Sequence, residues 1–420
     1  LTQPASRDCD VLIVGGGAVG SALACALADL PLDVVLVEAQ EVRLLEQPSF
    51  DARVTALANG SQQILAALGL WADLKSYAEA IRKIHISERG RFGAARIQAD
   101  DEGVPALGYT VENQALGRVL WQRLERAPRF TVLAPARVTS LELGVDFATA
   151  TVASAVGVES ERTLTVRAKL AVAADGARSA LRTALGVAVA EHDYDQCACI
   201  FNCTTEAPLA GRAYERFTQR GPIALLPLTA GRAAVIWTLP AAEAERVAAL
   251  TDDAFRAELQ AAFGQRLGRF TRVGARHLYP LVRIASEAIH GQRAVLIGDA
   301  AMRLHPVAGQ GFNVALRDVA TLAEVLADAL HAATPDQPAD IGAAALLDRY
   351  AAWRKADRAR VSRFTHGLIQ LFGDTAPGLG IGRGLALMAF DLLPGAKALL
   401  ARQTMGKAGR LPRLARGLKL

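Results

Sequence analysis

Between Val11 and Ala28 the chain carries no charged residue, and the period of its apolar positions changes inside that stretch. Asp10 to Val14 (Asp-Val-Leu-Ile-Val) is a short continuous apolar run, the pattern of a strand buried on both faces. Ser21 to Leu30 is built of small and apolar residues and predicts a helix, and Asp33 to Glu38 predicts a second buried strand. Strand, glycine turn, helix and strand within about thirty residues predict a right-handed crossover unit on a parallel sheet. The uncharged stretch approaches the length of a membrane helix, but Gly15, Gly16 and Gly17 make a poor helix interior. A soluble or peripheral chain is expected, and its polar opening residues (Thr2, Gln3, Ser6, Arg7, Asp8) do not form a secretory signal.

Helical patterns follow at 59–70 and 113–127. From 130 to 174, short β-branched runs predict a small antiparallel sheet closed by Leu170 to Ala174. A larger antiparallel sheet is predicted from Cys197–Cys203, Ala213–Thr218, Ile223–Leu228 and Ala233–Leu239, with strands from 81–109 joining it and helices at 241–248 and 252–263 following. After a buried strand at Val295–Ile297 the pattern is helical over 309–332, 342–371 and 380–401, with a linker at 332–339. The expected fold class is α/β. A Rossmann-like βαβ domain is assembled from 1–80, 110–190 and 281–340. An antiparallel-sheet substrate domain is inserted as 81–109 and 191–280, and helices at 341–420 close the chain.

With 51% hydrophobic and 21% charged residues, the 420-residue chain can bury a large core, so global disorder is excluded. A net charge of +5 is too small to indicate nucleic acid as a partner. Five cysteines do not make a disulfide framework, and a reducing, cytoplasmic setting is expected. Cys197, Cys199 and Cys203 lack the second thiol pair or nearby histidine that would complete a tetrahedral set, so packed thiols are expected and no metal site.

Gly15-Gly16-Gly17-Ala18-Val19-Gly20 is a G-x-G-x-x-G turn between strand and helix. Gly15 permits the tight turn, Gly17 lets backbone approach a pyrophosphate, and Gly20 lets the helix pack closely. The helix N-terminus offers free N–H groups to phosphate, and Glu38 ends the second strand where a carboxylate can accept from a ribose. These residues point to a dinucleotide without separating FAD from NAD. Gly298-Asp299 ends the strand at 295–297, and its carboxylate suits either a polyol hydroxyl or an ordinary helix cap. His305-Pro306-Val307-Ala308-Gly309-Gln310-Gly311-Phe312-Asn313 opens a long helix with unobstructed amides, a setting for a flat ring that becomes anionic on reduction. Asp318 is expected to be structural. Asp175-Gly176 supplies a second carboxylate at a strand end, with an Asx turn as its plain alternative.

The glycine turn, Asp175-Gly176 and Gly298-Asp299 occur in the order typical of the para-hydroxybenzoate hydroxylase fold of flavoprotein monooxygenases, and His305 to Asp318 is similar to the signature of the ubiquinone-biosynthesis hydroxylases. Phe50-Asp51-Ala52-Arg53, Ala213 to Pro222 and Phe263 to Gly268 resemble the branch that hydroxylates 2-polyprenyl-6-methoxyphenol. The resemblance runs from about residue 10 to 405 and implies a Class A reaction. NADPH or NADH, bound transiently, reduces FAD. Dioxygen then forms a flavin hydroperoxide that gives one oxygen atom to the phenol ring. It further implies that Arg53 lies near the flavin and its phosphates, with a surface salt bridge as alternative. Asn113 is placed at a polar FAD contact or a helix N-cap. The Pro306 carbonyl borders the oxygen-reactive face, and His305 supports substrate or caps the loop. Met302 stands where many relatives have His, so no proton-transfer role falls there. Of Phe201, Phe217 and Trp237, at least one is expected to face the substrate ring.

The tail after Asp391 carries Lys397, Arg402, Lys407, Arg410, Arg413, Arg416 and Lys419 without an acid, interleaved with leucines. It is a candidate contact for the inner membrane face or a ubiquinone-biosynthesis complex, with a solvated terminus as the alternative. The rival functions are an assembly subunit that keeps FAD as a structural ligand, a sister hydroxylase acting at another ring position, and a plain NAD dehydrogenase.

Overall fold

The computed structural model describes residues 5–41, 53–154, 163–373 and 379–420; Phe50, Asp51 and Ala52 lie outside the described residues. The apolar run near the N-terminus is a strand, Ala5–Val14, at the middle of a parallel sheet. Val34–Val37 and then Phe130–Leu133 lie on one side of it, Thr163–Ala173 and Ala294–Leu296 on the other. Val11, Leu12, Ile13 and Leu170 to Val172 are inaccessible to solvent, as strands covered on both faces require. One face is packed by helices Ala18–Leu27, Asn113–Leu124 and Gly311–Ala332, through Leu23, Leu27, Leu120, Leu316 and Val319.

The small antiparallel sheet expected over 130–174 is present but belongs to the main sheet. Strands Ala136–Leu143 and Ala148–Ser154 form a hairpin on Thr163–Ala173, and that strand pairs in parallel with the first one along nearly its whole length. Its first half meets the hairpin and its second half meets Ala294–Leu296. The apolar run at its C-terminal end is therefore the centre of the main sheet rather than the closing strand of a satellite.

A second, antiparallel-rich sheet runs in the spatial order Met302–Arg303, His277–Ser286, Val189–Thr205, Arg232–Pro240, Ile223–Pro227, Arg212–Phe217, Lys83–Glu88 and Ala94–Gln98. Lys83–Glu88 joins by a parallel pairing with Arg212–Phe217. Helices Ala241–Ala248 and Asp252–Phe263 cover one face over Trp237, Phe201 and Leu239. Trp237 and Phe201 both meet Phe255 edge-on and are core residues. The opposite face turns toward the parallel-sheet domain. The last helices are Ala344–Gly373, Leu379–Leu392 and Pro394–Thr404, so the helix expected over 380–401 is interrupted at Pro394, which starts a new helix in place of continuing the old one.

Candidate functional site

The glycine turn closes through contacts that only hydrogen side chains allow. Gly15 has φ +106°, and a Cβ there would stand 2.4 Å from the Ala174 carbonyl oxygen. A Cβ on Gly20 would stand 1.9 Å from the Gly15 carbonyl oxygen, so the helix is seated directly on the turn. Gly17 differs: nothing in the protein lies within 4 Å of where its Cβ would be. Its open side borders a cleft rather than packing. Glu38 accepts the Gly16 N–H at 2.6 Å and the Gln40 N–H at 2.9 Å, which fixes its carboxylate at the strand end.

The two strand-end aspartates differ in how they are held. One oxygen of Asp175 accepts from Ala180 N (2.8 Å) and Leu181 N (3.3 Å), capping the short helix Ala180–Ala184, while Oδ1 is buried without a partner among the described residues. Asp299 has no protein hydrogen bond among the described residues. Protein surrounds it on nearly every side, yet it keeps accessible surface because it projects into the cleft. Burial pushes its carboxyl up, and the Arg303 and Arg53 guanidinium groups oppose that shift. Gly298, at φ +59°, turns the chain against Val19, and its N–H donates to Asp318 Oδ2 at 3.3 Å. Asp318 is thus a structural anchor of this turn.

Ala308 and Gly309 both have φ +59°, so the helix begins at Gly311 instead of 309. The Asn313 side chain accepts from Ala58 N at 2.8 Å and donates to the carbonyls of Ala56 (2.8 Å) and Gly309 (2.7 Å). These bonds tie the loop to strand Val54–Ala58 and leave only the Asn313 backbone for a ligand. Gln310 is buried and donates to Ala308 and Thr404 carbonyls. His305 is 2% exposed. Its Nδ1 accepts the Val307 N–H at 3.1 Å, and burial lowers its pKa to about 4, so the ring is neutral and supports the loop from behind. Tyr194 meets it edge-on at 5.0 Å.

Three adjacent cavities result, each sharing lining residues with the next. Glu38, Asp175 and Arg178 line one of about 400 Å³ with Gly15 and Gly17. Gly17, Ala174 and Gly176 also border the main cleft of about 440 Å³, where Arg53, Asn113, Asp299, Gly311 and Phe312 converge with Ala18 and Val19. The Arg53 guanidinium stacks on Tyr279 at 4.9 Å, and Asn113 accepts from Thr55 Oγ1 at 2.6 Å. Pro306 and Gly309 border both this cleft and a third, apolar pocket of about 150 Å³ on the open face of the second sheet. Phe217 lines that pocket and stacks on Phe372 at 3.7 Å, so of the three aromatic candidates it is the one that borders this pocket.

A cleft with an open glycine cradle, a partnerless carboxylate and an orphaned aspartate oxygen suits a long polar cofactor with phosphate and hydroxyl groups. Residues 8–365 match the family model described as FAD binding domain. The chain belongs to that family. Its cofactor is FAD and it is a flavoprotein monooxygenase of Class A. Over its full length it is 37% identical to ubiquinone hydroxylase UbiL of Rhodospirillum rubrum, covering 95% of that protein. It is 31% identical to 3-demethoxyubiquinol 3-hydroxylase of Escherichia coli, with 91% of this chain and 94% of the other aligned. Among solved structures, p-nitrophenol 4-monooxygenase of Pseudomonas putida superposes with a TM-score of 0.76 at 18% identity, over 97% of this chain and all of the other, which establishes the common fold.

Sequence reading did not find Tyr279, Leu226 or Ile236 in the cleft, or Glu215 in the apolar pocket. The alternation Ala213, Glu215, Phe217 was visible, but which face of that strand looks into the apolar pocket depends on its neighbours. Among the described residues no group of three or more His, Cys, Asp or Glu side chains is placed to hold a metal ion. The thiols are free, and burial pushes Cys9, Cys25 and Cys203 up to about 12.

Proposed function

We propose that this protein hydroxylates the aromatic ring of a polyprenylated phenol in ubiquinone biosynthesis, with 2-polyprenyl-6-methoxyphenol as the specific substrate. The observation that carries the reading is the apolar pocket that borders the main cleft along Pro306 and Gly309. Its isoleucine, leucine and phenylalanine lining suits a prenyl-bearing ring, and two of the relatives are named as hydroxylases of ubiquinone or its precursor.

In this reading the turn Gly15–Gly20 and the amides opening helix Ala18–Leu27 hold the pyrophosphate, and Glu38 meets the adenosine ribose. Asp299 accepts from the ribityl chain, with Asp175, Arg53 and Asn113 at the flanks. The amides of Gly309 to Phe312 stabilise negative charge on the flavin ring. Bound FAD supplies dioxygen activation with electrons from transient NADH or NADPH. The protein's part is to orient the ring against Pro306 and to exclude water through the apolar wall.

The deciding experiment is product analysis with FAD, NADPH, oxygen and a short-chain 2-prenyl-6-methoxyphenol. Hydroxylated product is expected. NADPH oxidation indifferent to every prenylated phenol, in a protein that a partner hydroxylase nonetheless requires, would favour the assembly role. Asp299→Ala is expected to weaken FAD roughly 10-fold, the loss of one charge-assisted hydrogen bond. Flavin absorbance after dialysis measures this, and undiminished occupancy would remove Asp299 from the site.

For membrane contact, we propose the elbow of the last helices in place of the basic tail. The Arg413 side chain pairs with Asp328, Arg410 lies over Trp353 at 3.7 Å, and Leu414 and Ala415 are buried. These contacts engage part of the tail internally, while Arg402, Arg416 and Lys419 stay exposed. By contrast Leu385, Met388, Leu392, Leu393 and Leu399 are exposed around the break at Pro394. Among the described residues no single helix is long and apolar enough to cross a membrane, although Gly382–Leu392 and Gly395–Thr404, bent by 94°, form one apolar pair. Leu392→Glu with Leu393→Glu is expected to abolish co-sedimentation with anionic vesicles at unchanged FAD content. Equal sedimentation of this variant would refute the assignment.

A further inference from the structure

The apolar pocket contains one carboxyl group that the reading above leaves without a role. Along strand Arg212–Phe217 the side chains alternate, so Ala213, Glu215 and Phe217 share the face turned to the pocket. Register sets Glu215 beside Ile86 on one neighbouring strand and Ala224 on the other. Among the described residues it has no hydrogen bond or ion pair. Burial pushes its carboxyl up to about 7, with no charged neighbour contributing. A buried acid without a partner is costly to the fold, and such groups concentrate where a ligand supplies the partner.

Charged groups on the surrounding elements are directed elsewhere. Lys83 and His85 alternate to the opposite face, and Tyr214 turns with them toward His85 and Phe263. Glu88, two residues along on the same face as Ile86, is held by Arg383 at 2.8 Å. Arg96 is held by Asp391, and Arg232 by Glu112. Across the pocket, helix Ala344–Gly373 presents Phe364 and Leu368, while its His366 meets Tyr194. Helix Pro394–Thr404 presents Leu400 and Thr404. His305 is neutral and faces Tyr194. Among the described residues Glu215 is thus the one charged group lining this pocket, which shares Pro306 and Gly309 with the main cleft.

We infer that Glu215 is the catalytic residue that receives the phenolic hydroxyl of the substrate; this rests on the proposed phenol hydroxylation. The phenol O–H donates to the carboxylate. Dioxygen activated on bound FAD would supply the oxygen atom: its O–O bond breaks as the ring C–O bond forms, and its second oxygen leaves as water with electrons from NADH or NADPH. In that step the phenol O–H bond breaks, its proton passes to Glu215, and its electron pair moves into the ring to drive attack at the hydroxylated carbon. When the ring regains aromaticity, the hydrogen displaced from that carbon leaves as a proton to water and Glu215 returns its own proton to the oxygen. The apolar surroundings strengthen the hydrogen bond and place the acid close to the operating pH.

The test uses FAD-saturated wild type, Glu215→Gln and Glu215→Leu. Each is titrated with a short-chain 2-prenylphenol and with its O-methyl ether while the flavin absorbance is followed. Wild type is expected to prefer the phenol on the order of 10-fold, and Glu215→Leu to bind the two alike. Hydroxylation by wild type should rise with pH through about 7. Glu215→Gln should lack that limb and be slower by roughly 100-fold. Because the folded carboxyl is raised, its charge opposes folding only above the ordinary carboxylate range. The Glu215→Gln apoprotein should therefore melt higher than wild type at alkaline pH and equally in acid, which also checks that it folds. If wild type hydroxylates the phenol while Glu215→Gln keeps its rate and pH limb, or Glu215→Leu keeps the preference, the inference is overturned and the proposed function stands. If wild type hydroxylates no prenylated phenol, the proposed function falls and the inference with it.

Discussion

Asp318→Ala is expected to lower the unfolding free energy by about 3–5 kcal/mol, because it strands a buried charge. Asp318 is fully buried and accepts from Arg354 Nε at 2.6 Å, with Arg358 at 3.6 Å. Arg354 also reaches Asp357 at 2.7 Å, which Arg317 shares at 2.8 Å and Arg360 at 2.9 Å. Burial pulls Arg354 down, but Asp318 and Asp357 outweigh it and hold the guanidinium above its ordinary value. Burial wins at Arg317, which is lowered. Both arginines keep a carboxylate within hydrogen-bond distance and remain charged. Without Asp318, the single carboxylate of Asp357 would have to serve the whole cluster.

Urea unfolding of the apoproteins measures the loss, and a decrease below about 1 kcal/mol would mean that water reaches the cluster and solvates it. The pH dependence has a defined sign. Burial works to raise Asp357, but Arg317 and Arg354 hold it well below the ordinary carboxylate range. Its contribution is complete above that range and is lost as pH falls toward the lowered value. The same substitution removes the acceptor of the Gly298 N–H, so FAD retention should fall together with stability.

Gly20→Ala and Gly17→Ala are expected to separate folding from cofactor binding. At Gly20 the new methyl group meets the Gly15 carbonyl oxygen at 1.9 Å, a backbone atom that cannot rotate away. Overpacking of this kind costs about 1–3 kcal/mol, so apoprotein stability should drop and FAD affinity should fall roughly 10- to 100-fold. At Gly17 the backbone is already in a region open to alanine, φ −65°, and the methyl group meets no protein atom within 4 Å. The Gly17→Ala apoprotein should melt like wild type while binding FAD less tightly. Calorimetry on apoprotein and flavin titration give the two numbers independently. Unchanged FAD affinity in Gly17→Ala would place the pyrophosphate elsewhere.

The glycine turn and the strand ends proposed to hold the cofactor were legible because their determinants are contiguous. Gly15 to Gly20 lie between a strand and a helix that are their sequence neighbours, and the steric demands of a tight turn can be read from residue type. Gly298-Asp299 and Asp175-Gly176 were legible as strand ends for the same reason. The apolar run ending at Ala173 identified a buried strand without saying which sheet would bury it; the parallel register with Ala5–Val14 decided that. The side-chain bonds of Asn313 were not legible, because only the chain fold brings the Ala56 carbonyl and the Ala58 N–H to it.

The substrate half was less legible. Alternation put Glu215 and Phe217 on a common face, but whether that face met solvent, helices or the flavin cleft depended on pairing with Lys83–Glu88, far away in the chain. Tail charge suggested a surface contact; folding pairs Arg413 with Glu324 and Asp328 and lays Arg410 over Trp353, while Arg402, Arg416 and Lys419 stay exposed. The amino-acid sequence alone determined the local geometries: the glycine turn, the positions of the main strands and helices, and the family resemblance that named the cofactor. Only the tertiary structure decided which carboxylates have protein partners and which, among the described residues, have none. Backbone sterics act between neighbours in the chain, whereas burial and ion pairing act between residues that folding alone brings together.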